Sequence, residues 1–238
     1  MSARGTLFLI PTNVSELFSP DNILPREVTT IALRLDHFIA ENAKTARAFL
    51  KALGVTRPLR DISICELSVN VNDNALVEML TPLFAGHDVG LVSEAGAPGV
   101  ADPGAVVVDL AHRHGIGVMP LVGPSSILLG LMASGLNGQK FAFHGYLPRE
   151  KTAKILAIRE LEQESRQRNM TQIFIETPYR NEAMFADLIQ TLSPATKLCV
   201  ASDLTGSDQI IIQQPVAAWR TSSNIAPAKP ALFLLLAK

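Results

Sequence analysis

Apolar residues fall in short runs that alternate with amphipathic stretches through most of the chain. Thr6-Leu-Phe-Leu-Ile10 reads as a buried strand, halted by Pro11, which has no N–H to continue a ladder. A polar loop over 12–25 carries Asn13, Ser15, Ser19, Pro20 and Asp21. The pattern then predicts a helix over 26–35, a strand over 37–41, and a helix over 44–53 closed by Gly54 as a C-cap glycine. A strand over 62–66 leads through a polar turn at 70–74 to a helix capped by Asp73 and running to Phe84. Leu76, Met79, Leu80 and Leu83 share one face of that helix, and Pro82 should kink or shorten it. The most regular stretch is 89–124: strand, glycine- and proline-rich loop, helix, strand, then a Gly-Pro turn opening another helix.

Past Ser134-Gly135 the rhythm changes. A half-exposed strand over 140–147 stops at Pro148, and a helix over 152–167 turns Ile155, Leu156, Ile158 and Leu161 inward. A buried strand over 173–176, a helix to Leu192, strands at 198–201 and 209–213, a short helix at 216–219 and a last strand over 231–237 complete the chain. Strict β–α alternation in the first half predicts a parallel sheet, and consecutive strands late in the second half predict a mixed one. The fold class is therefore α/β, with two α/β domains over 1–122 and 123–238.

The 238 residues are 47% hydrophobic with a net charge of −1. That composition supports a sizeable core, argues against long disordered segments, and excludes a dedicated polyanion binder while leaving room for a local basic face. Cys65 and Cys199 each sit inside an apolar run and read as buried, unpaired thiols in a reducing compartment. Every apolar run is far below the ~20 residues of a membrane-spanning helix, so a soluble, cytoplasmic protein is expected.

Candidate chemistry concentrates in the loop over 93–104, which has three glycines and two prolines. Small residues at Ala95, Gly96 and Ala97 let backbone approach a ligand with no side chain between. A G-x-G-x-x-G fingerprint and a Walker-type Gly-Lys-Ser/Thr are both missing, so a nucleoside cofactor without phosphates fits better than a nucleotide. Gly123-Pro-Ser-Ser126 opens a helix with two hydroxyls suited to capping or to ligand contact. His112 and His114, two apart on a helix, face different ways, so no metal site is expected.

These motifs resemble a known family. Ser93-Glu-Ala-Gly-Ala-Pro…Asp102-Pro-Gly, Leu121-Val-Gly-Pro-Ser-Ser, Ala133-Ser-Gly-Leu136, Phe143-His-Gly-Tyr-Leu-Pro148 and Ile175-Glu-Thr-Pro-Tyr-Arg180 are similar to the tetrapyrrole methylase superfamily of S-adenosylmethionine-dependent methyltransferases. Within it they resemble the ribosomal RNA small subunit methyltransferase I branch, over nearly the whole chain. The resemblance implies a cofactor cleft between two α/β domains, a homodimer, and small-subunit rRNA methylated at a ribose 2'-hydroxyl. It implies cofactor contacts from Pro11, Ala95, Gly96, Ala97, Val100, Ala101, Ser125, Ser126, Glu176, Pro230 and Ala231. The chain departs from the branch at Asn13-Val-Ser-Glu16, Glu41-Asn-Ala-Lys44 and Val71-Asn-Asp73, segments that would face the substrate.

A ribose hydroxyl must lose a proton as it is methylated. Glu41 and Glu94, each at a strand end, are the candidate bases, and Lys44 could stabilise a developing alkoxide. Lys44, Arg47, Lys51, Arg149, Lys151 and Lys154 are candidates for a phosphate-contacting rim. Two other readings stay open: a methyltransferase of this fold acting on a small molecule, and a catalytically idle paralogue that binds the cofactor.

Overall fold

The computed structural model describes residues 4–15, 23–68, 72–222 and 227–238. Parts of two expected loops, including Glu16, Ser19, Pro20, Asp21 and Val71, lie outside the described residues. The chain divides into two compact units, Met1–Ser125 and Ser126–Lys238.

The first unit runs β1 (Thr6–Ile10), α1 (Arg26–Arg34), β2 (His37–Ala40), α2 (Ala43–Ala52), β3 (Ser63–Glu66), α3 (Asp73–Met79), α4 (Thr81–Phe84), β4 (Val89–Val92), α5 (Ala105–Arg113) and β5 (Gly117–Pro120). Its sheet has the order β3-β2-β4-β1-β5 and every pairing is parallel. Because side chains alternate along a strand, the two faces draw on different residues. Phe8, Ile10, Phe38 and Ala40 pack with Val28 and Ala32 of α1 and Phe49 and Leu50 of α2. Leu7, Ile39 and Leu91 pack on the other face with Leu76, Met79, Leu83 and, from α5, Val107 and Ala111. With both faces covered, β4 is buried at every residue. Gly90 is required there, since a Cβ would lie 2.7 Å from Ile10 Cδ1 and 2.8 Å from the Phe38 ring.

The second unit runs α6 (Ser126–Ser134), β6 (Phe141–Tyr146), α7 (Lys151–Arg168), β7 (Thr171–Glu176), α8 (Pro178–Thr191), β8 (Lys197–Ser202), β9 (Ile210–Pro215), α9 (Val216–Trp219) and β10 (Ala231–Leu236). Its sheet order is β6-β7-β10-β8-β9, with β6 and β7 parallel and the other pairs antiparallel, so it is mixed. The stacked rings of Phe174 and Phe233 and the edge-on pair Phe185–Trp219 centre its core.

Three local expectations need correction, and that for Pro82 holds. Asn72, not Asp73, caps α3, its Oδ1 accepting the Ala75 N–H at 2.9 Å. As expected, Pro82 shortens the helix, dividing it into α3 and α4, with the proline in the first turn of α4, where it removes no helical hydrogen bond. Cys65 is exposed, because β3 is an edge strand; only Cys199, on β8, is buried. Leu156 is exposed on α7 while Lys154 is buried.

Candidate active site

In the first unit, the loops that follow β1 and β4 are tied together at the carboxyl ends of neighbouring strands. The Thr12 N–H donates to the Gly96 carbonyl at 2.9 Å, and the Gly96 N–H donates to the Asn13 carbonyl at 3.3 Å. The Thr12 hydroxyl reaches the Ser93 carbonyl at 3.3 Å, and the Ser93 hydroxyl reaches the Gly96 carbonyl at 3.2 Å. The loop after β5 joins them at Gly123, where a Cβ would lie 2.2 Å from Pro11 Cγ. Three strand ends therefore contribute to one surface, the end of a parallel sheet where α/β folds bind ligands.

The loop after β4 owes its shape to left-handed backbone. Gly96 and Gly99 have φ of 75° and 80°, and Ala101 has φ of 60°. An L-residue there costs about 1–2 kcal/mol, so something must hold Ala101 in place. Asp102 does so: its Oδ1 accepts the Gly99 N–H at 2.9 Å and the Gly104 N–H at 2.7 Å. Burial raises the Asp102 carboxyl above its ordinary range, and the two amides pull it partly back. Asp102 belongs to the site although the sequence reading gave it no role. Its position between two glycines, able to fold back on nearby amides, is the signal that marks it.

Of the expected cofactor contacts, Pro11 is buried beneath Gly123, and Gly96 and Ala97 lie in the turn facing it. Ala95, Val100 and Ala101 are exposed along the loop. Ser125 closes the first unit and Ser126 opens α6 of the second, both half-buried. The loop suits a ligand held by backbone. A Cβ on Gly96 would intrude between Val14 Cγ1 at 3.3 Å and the Pro124 carbonyl oxygen at 3.5 Å.

The remaining expected contacts belong to the second unit. Glu176 ends β7 directly across from Ala231 on β10. Its Oε1 accepts the Thr177 N–H at 2.8 Å, and its Oε2 pairs with Arg180 at 2.9 Å. The Glu176 carboxylate is thus engaged within its own unit. The Pro230 carbonyl accepts the Ser202 hydroxyl at 2.9 Å. Asn181, unremarked in the sequence, is fully buried and donates to the Pro227 and Lys229 carbonyls at 2.8 Å each, fixing the approach to β10.

The structure brings Glu41 and Glu94 together. The Glu41 carboxylate accepts the Glu94 backbone N–H, and the Glu94 carboxylate takes the Thr45 hydroxyl at 2.9 Å. Partial burial first, then the negative charges of Asp102 and Glu94, raise the Glu41 carboxyl above its ordinary value. Glu41, Asp102, Leu67, Leu91 and Gly104 line a narrow crevice. Lys44 is exposed in the first turn of α2, where Asn42 caps the helix by accepting the Lys44 N–H at 2.8 Å.

The expected basic rim is reduced. Lys44, Arg47, Lys51, Arg149 and Lys151 are exposed, whereas Lys154 is buried in an ion pair with Asp187 at 2.6 Å. His114 packs edge-on against Phe84, and among the described residues no cluster of three or more His, Cys, Asp or Glu could hold a metal ion. No described helix is long and apolar enough to cross a membrane.

An all-parallel unit with glycine-rich turns at its strand ends, followed by a mixed-sheet unit, is the architecture of tetrapyrrole-type methyltransferases. The crystal structure of the methyltransferase CobJ matches 99% of this chain and 95% of its own, with TM-score 0.64 at 18% identity. Cobalt precorrin-4 methyltransferase CbiF matches 97% and 94%, with TM-score 0.60 at 15% identity. At such identities the likeness is one of fold. No family model matches the sequence. Ribosomal RNA small subunit methyltransferase I of Xylella fastidiosa (strain Temecula1) is 31% identical over 224 residues, 93% of this chain and 76% of that protein. The Synechocystis protein of the same name is 30% identical over 203 residues, 84% of this chain and 67% of that protein. The chain belongs to the ribosomal RNA small subunit methyltransferase I family.

Proposed function

We propose that this protein transfers a methyl group from S-adenosylmethionine to a ribose 2'-hydroxyl of small-subunit ribosomal RNA. The observation that carries the reading is the 31% identity across 93% of the chain to a relative named for that RNA. The cofactor would lie along the loop that Gly96 shapes, where Ala95, Val100 and Ala101 are exposed. Pro11, Ala95, Gly96, Ala97, Val100, Ala101 and Ser125 of the first unit would hold it, and Ser126, Glu176, Pro230 and Ala231 of the second are the further contacts this reading assigns to it. When bound, it supplies a methyl group on an already activated sulfonium.

The chain's own residues then position the acceptor and take its proton. Glu41 is the base: its raised pKa makes it a better proton acceptor than an ordinary carboxylate, and the Glu94 N–H fixes its orientation. Glu94, held by Thr45, keeps negative charge beside it, and exposed Lys44 faces the developing alkoxide. The protein works in the cytoplasm, as a homodimer. The test is transfer of labelled methyl groups to small-subunit rRNA from a strain lacking this protein, beside calorimetric titration with S-adenosylmethionine. Label in that rRNA alone is expected. Tight cofactor binding with no label in RNA would overturn the choice of acceptor.

A further inference from the structure

The chain has two tyrosines and one tryptophan. Trp219 is buried, its indole N–H donating to the Leu198 carbonyl at 3.0 Å. The tyrosines are placed the opposite way: Tyr146 is 57% exposed and Tyr179 is 76% exposed. Both sit at the carboxyl end of the parallel pair β6–β7. Tyr146 ends β6 and pairs with Ile175; Tyr179 lies in the first turn of α8, just past Glu176.

Arg180 locks this arrangement. Its guanidinium pairs with Glu176 and also donates to the Leu147 and Pro148 carbonyls at 3.3 and 3.4 Å. The residues following each tyrosine are thereby tied to one another. Partial burial, then the charge of Glu176 and the neighbouring Tyr179, raise the Tyr146 phenol above its usual value, so this ring is neutral at physiological pH. Beside them Arg149 and Lys151 are exposed. The intervening Glu150 is turned to capping α7, accepting the Thr152 and Ala153 N–H groups at 2.8 and 2.6 Å. Two outward aromatic rings flanked by two outward cations suit an unpaired nucleotide, whose base stacks on aromatics while its phosphates seek positive charge.

We propose that Tyr146 and Tyr179 form a stacking platform for an unpaired nucleotide of the RNA substrate, with Arg149 and Lys151 contacting the flanking phosphates. This rests on the RNA reading above and adds the residues that recognise the substrate. Loss of one stacking ring should weaken single-stranded RNA binding by about five- to 150-fold, because each stacked base contributes roughly 1–3 kcal/mol.

The test compares Tyr146→Ala, Tyr179→Ala, Tyr146→Phe and Tyr179→Phe with the unmodified protein. Affinity for a short unstructured oligoribonucleotide carrying 2-aminopurine is read by anisotropy and by quenching of the base analogue. Both alanine variants should lose affinity and quenching, both phenylalanine variants should keep them, and affinity for S-adenosylmethionine should not move. Alanine variants that bind and quench normally would overturn the platform while leaving the RNA reading intact. So would variants that keep RNA affinity but change sedimentation, marking the rings as a protein contact. An unmodified protein that binds cofactor but no RNA would overturn both.

Discussion

The Glu41 carboxylate, just past β2, accepts the backbone N–H of Glu94, just past β4, so two strand ends share one ionisable group. Its pKa is raised above 4.5, so the folded chain holds this proton more tightly than the unfolded chain does. The resulting stability is present at acid pH and is lost as pH rises through the raised value. Glu41→Gln should therefore leave the thermal midpoint at neutral pH unchanged or higher, while slowing methyl transfer by about 10²–10⁴-fold. A variant with full rate and a lowered midpoint would make this carboxylate structural instead.

The same group sets the acid limb of the pH–rate profile. A base works unprotonated, so the rate should rise with pH and level off, with the limb above 4.5. In Glu41→Gln the limb should disappear from single-turnover rates measured across the acid range.

Gly96→Val tests the cofactor turn. Valine at φ of 75° costs about 1–2 kcal/mol in backbone strain, and its side chain meets Val14 and the Pro124 carbonyl. Calorimetry should show at least a tenfold loss of S-adenosylmethionine affinity, with circular dichroism still that of a folded chain. Unchanged affinity would place the cofactor elsewhere.

Lys154 and Asp187 are paired with their side chains 8% and 9% exposed. Removing one partner strands a buried charge and should cost about 3–5 kcal/mol in denaturant unfolding. Lys154→Met combined with Asp187→Leu should recover most of that loss. RNA affinity should be the same in the double variant, since Lys154 does not reach the surface.

The two thiols should separate cleanly in a labelling experiment. Cys65 is exposed at a sheet edge and should react in the native protein, slowed because burial and nearby Glu66 and Glu78 raise its pKa. Cys199 is buried, with its pKa pushed up to about 12, and should react only after denaturation. One equivalent of label before unfolding and two after is the expected count.

Much of the fold was legible from pattern because period-two and period-3.6 signals are local. The apolar runs at 6–10, 89–92 and 231–236 became central strands, and β–α alternation gave the parallel sheet. The special loop around Gly96 was legible too, from small residues and prolines crowded into twelve positions, while its left-handed backbone emerged only in the structure. Cys65 and Leu156 were misread because an apolar neighbourhood in sequence does not say whether a strand lies at an edge or which way a helix faces. Asn72 was passed over because an acid one residue later is an equally good cap on paper.

By itself, then, the sequence determined the two α/β units, the glycine-rich turns and the family, all set by residue types at short spacing. Tertiary structure alone decided which charges serve the surface and which serve the core. Lys154 and Lys151 sit on one helix, yet only Lys154 meets an acid from α8 inside the unit. Likewise the Glu41 carboxyl feels the charge of Glu94 only because β2 and β4 are neighbours in the sheet. Such pairings depend on strand order and helix docking, and a desolvated charge is fixed by whatever partner that packing brings within reach.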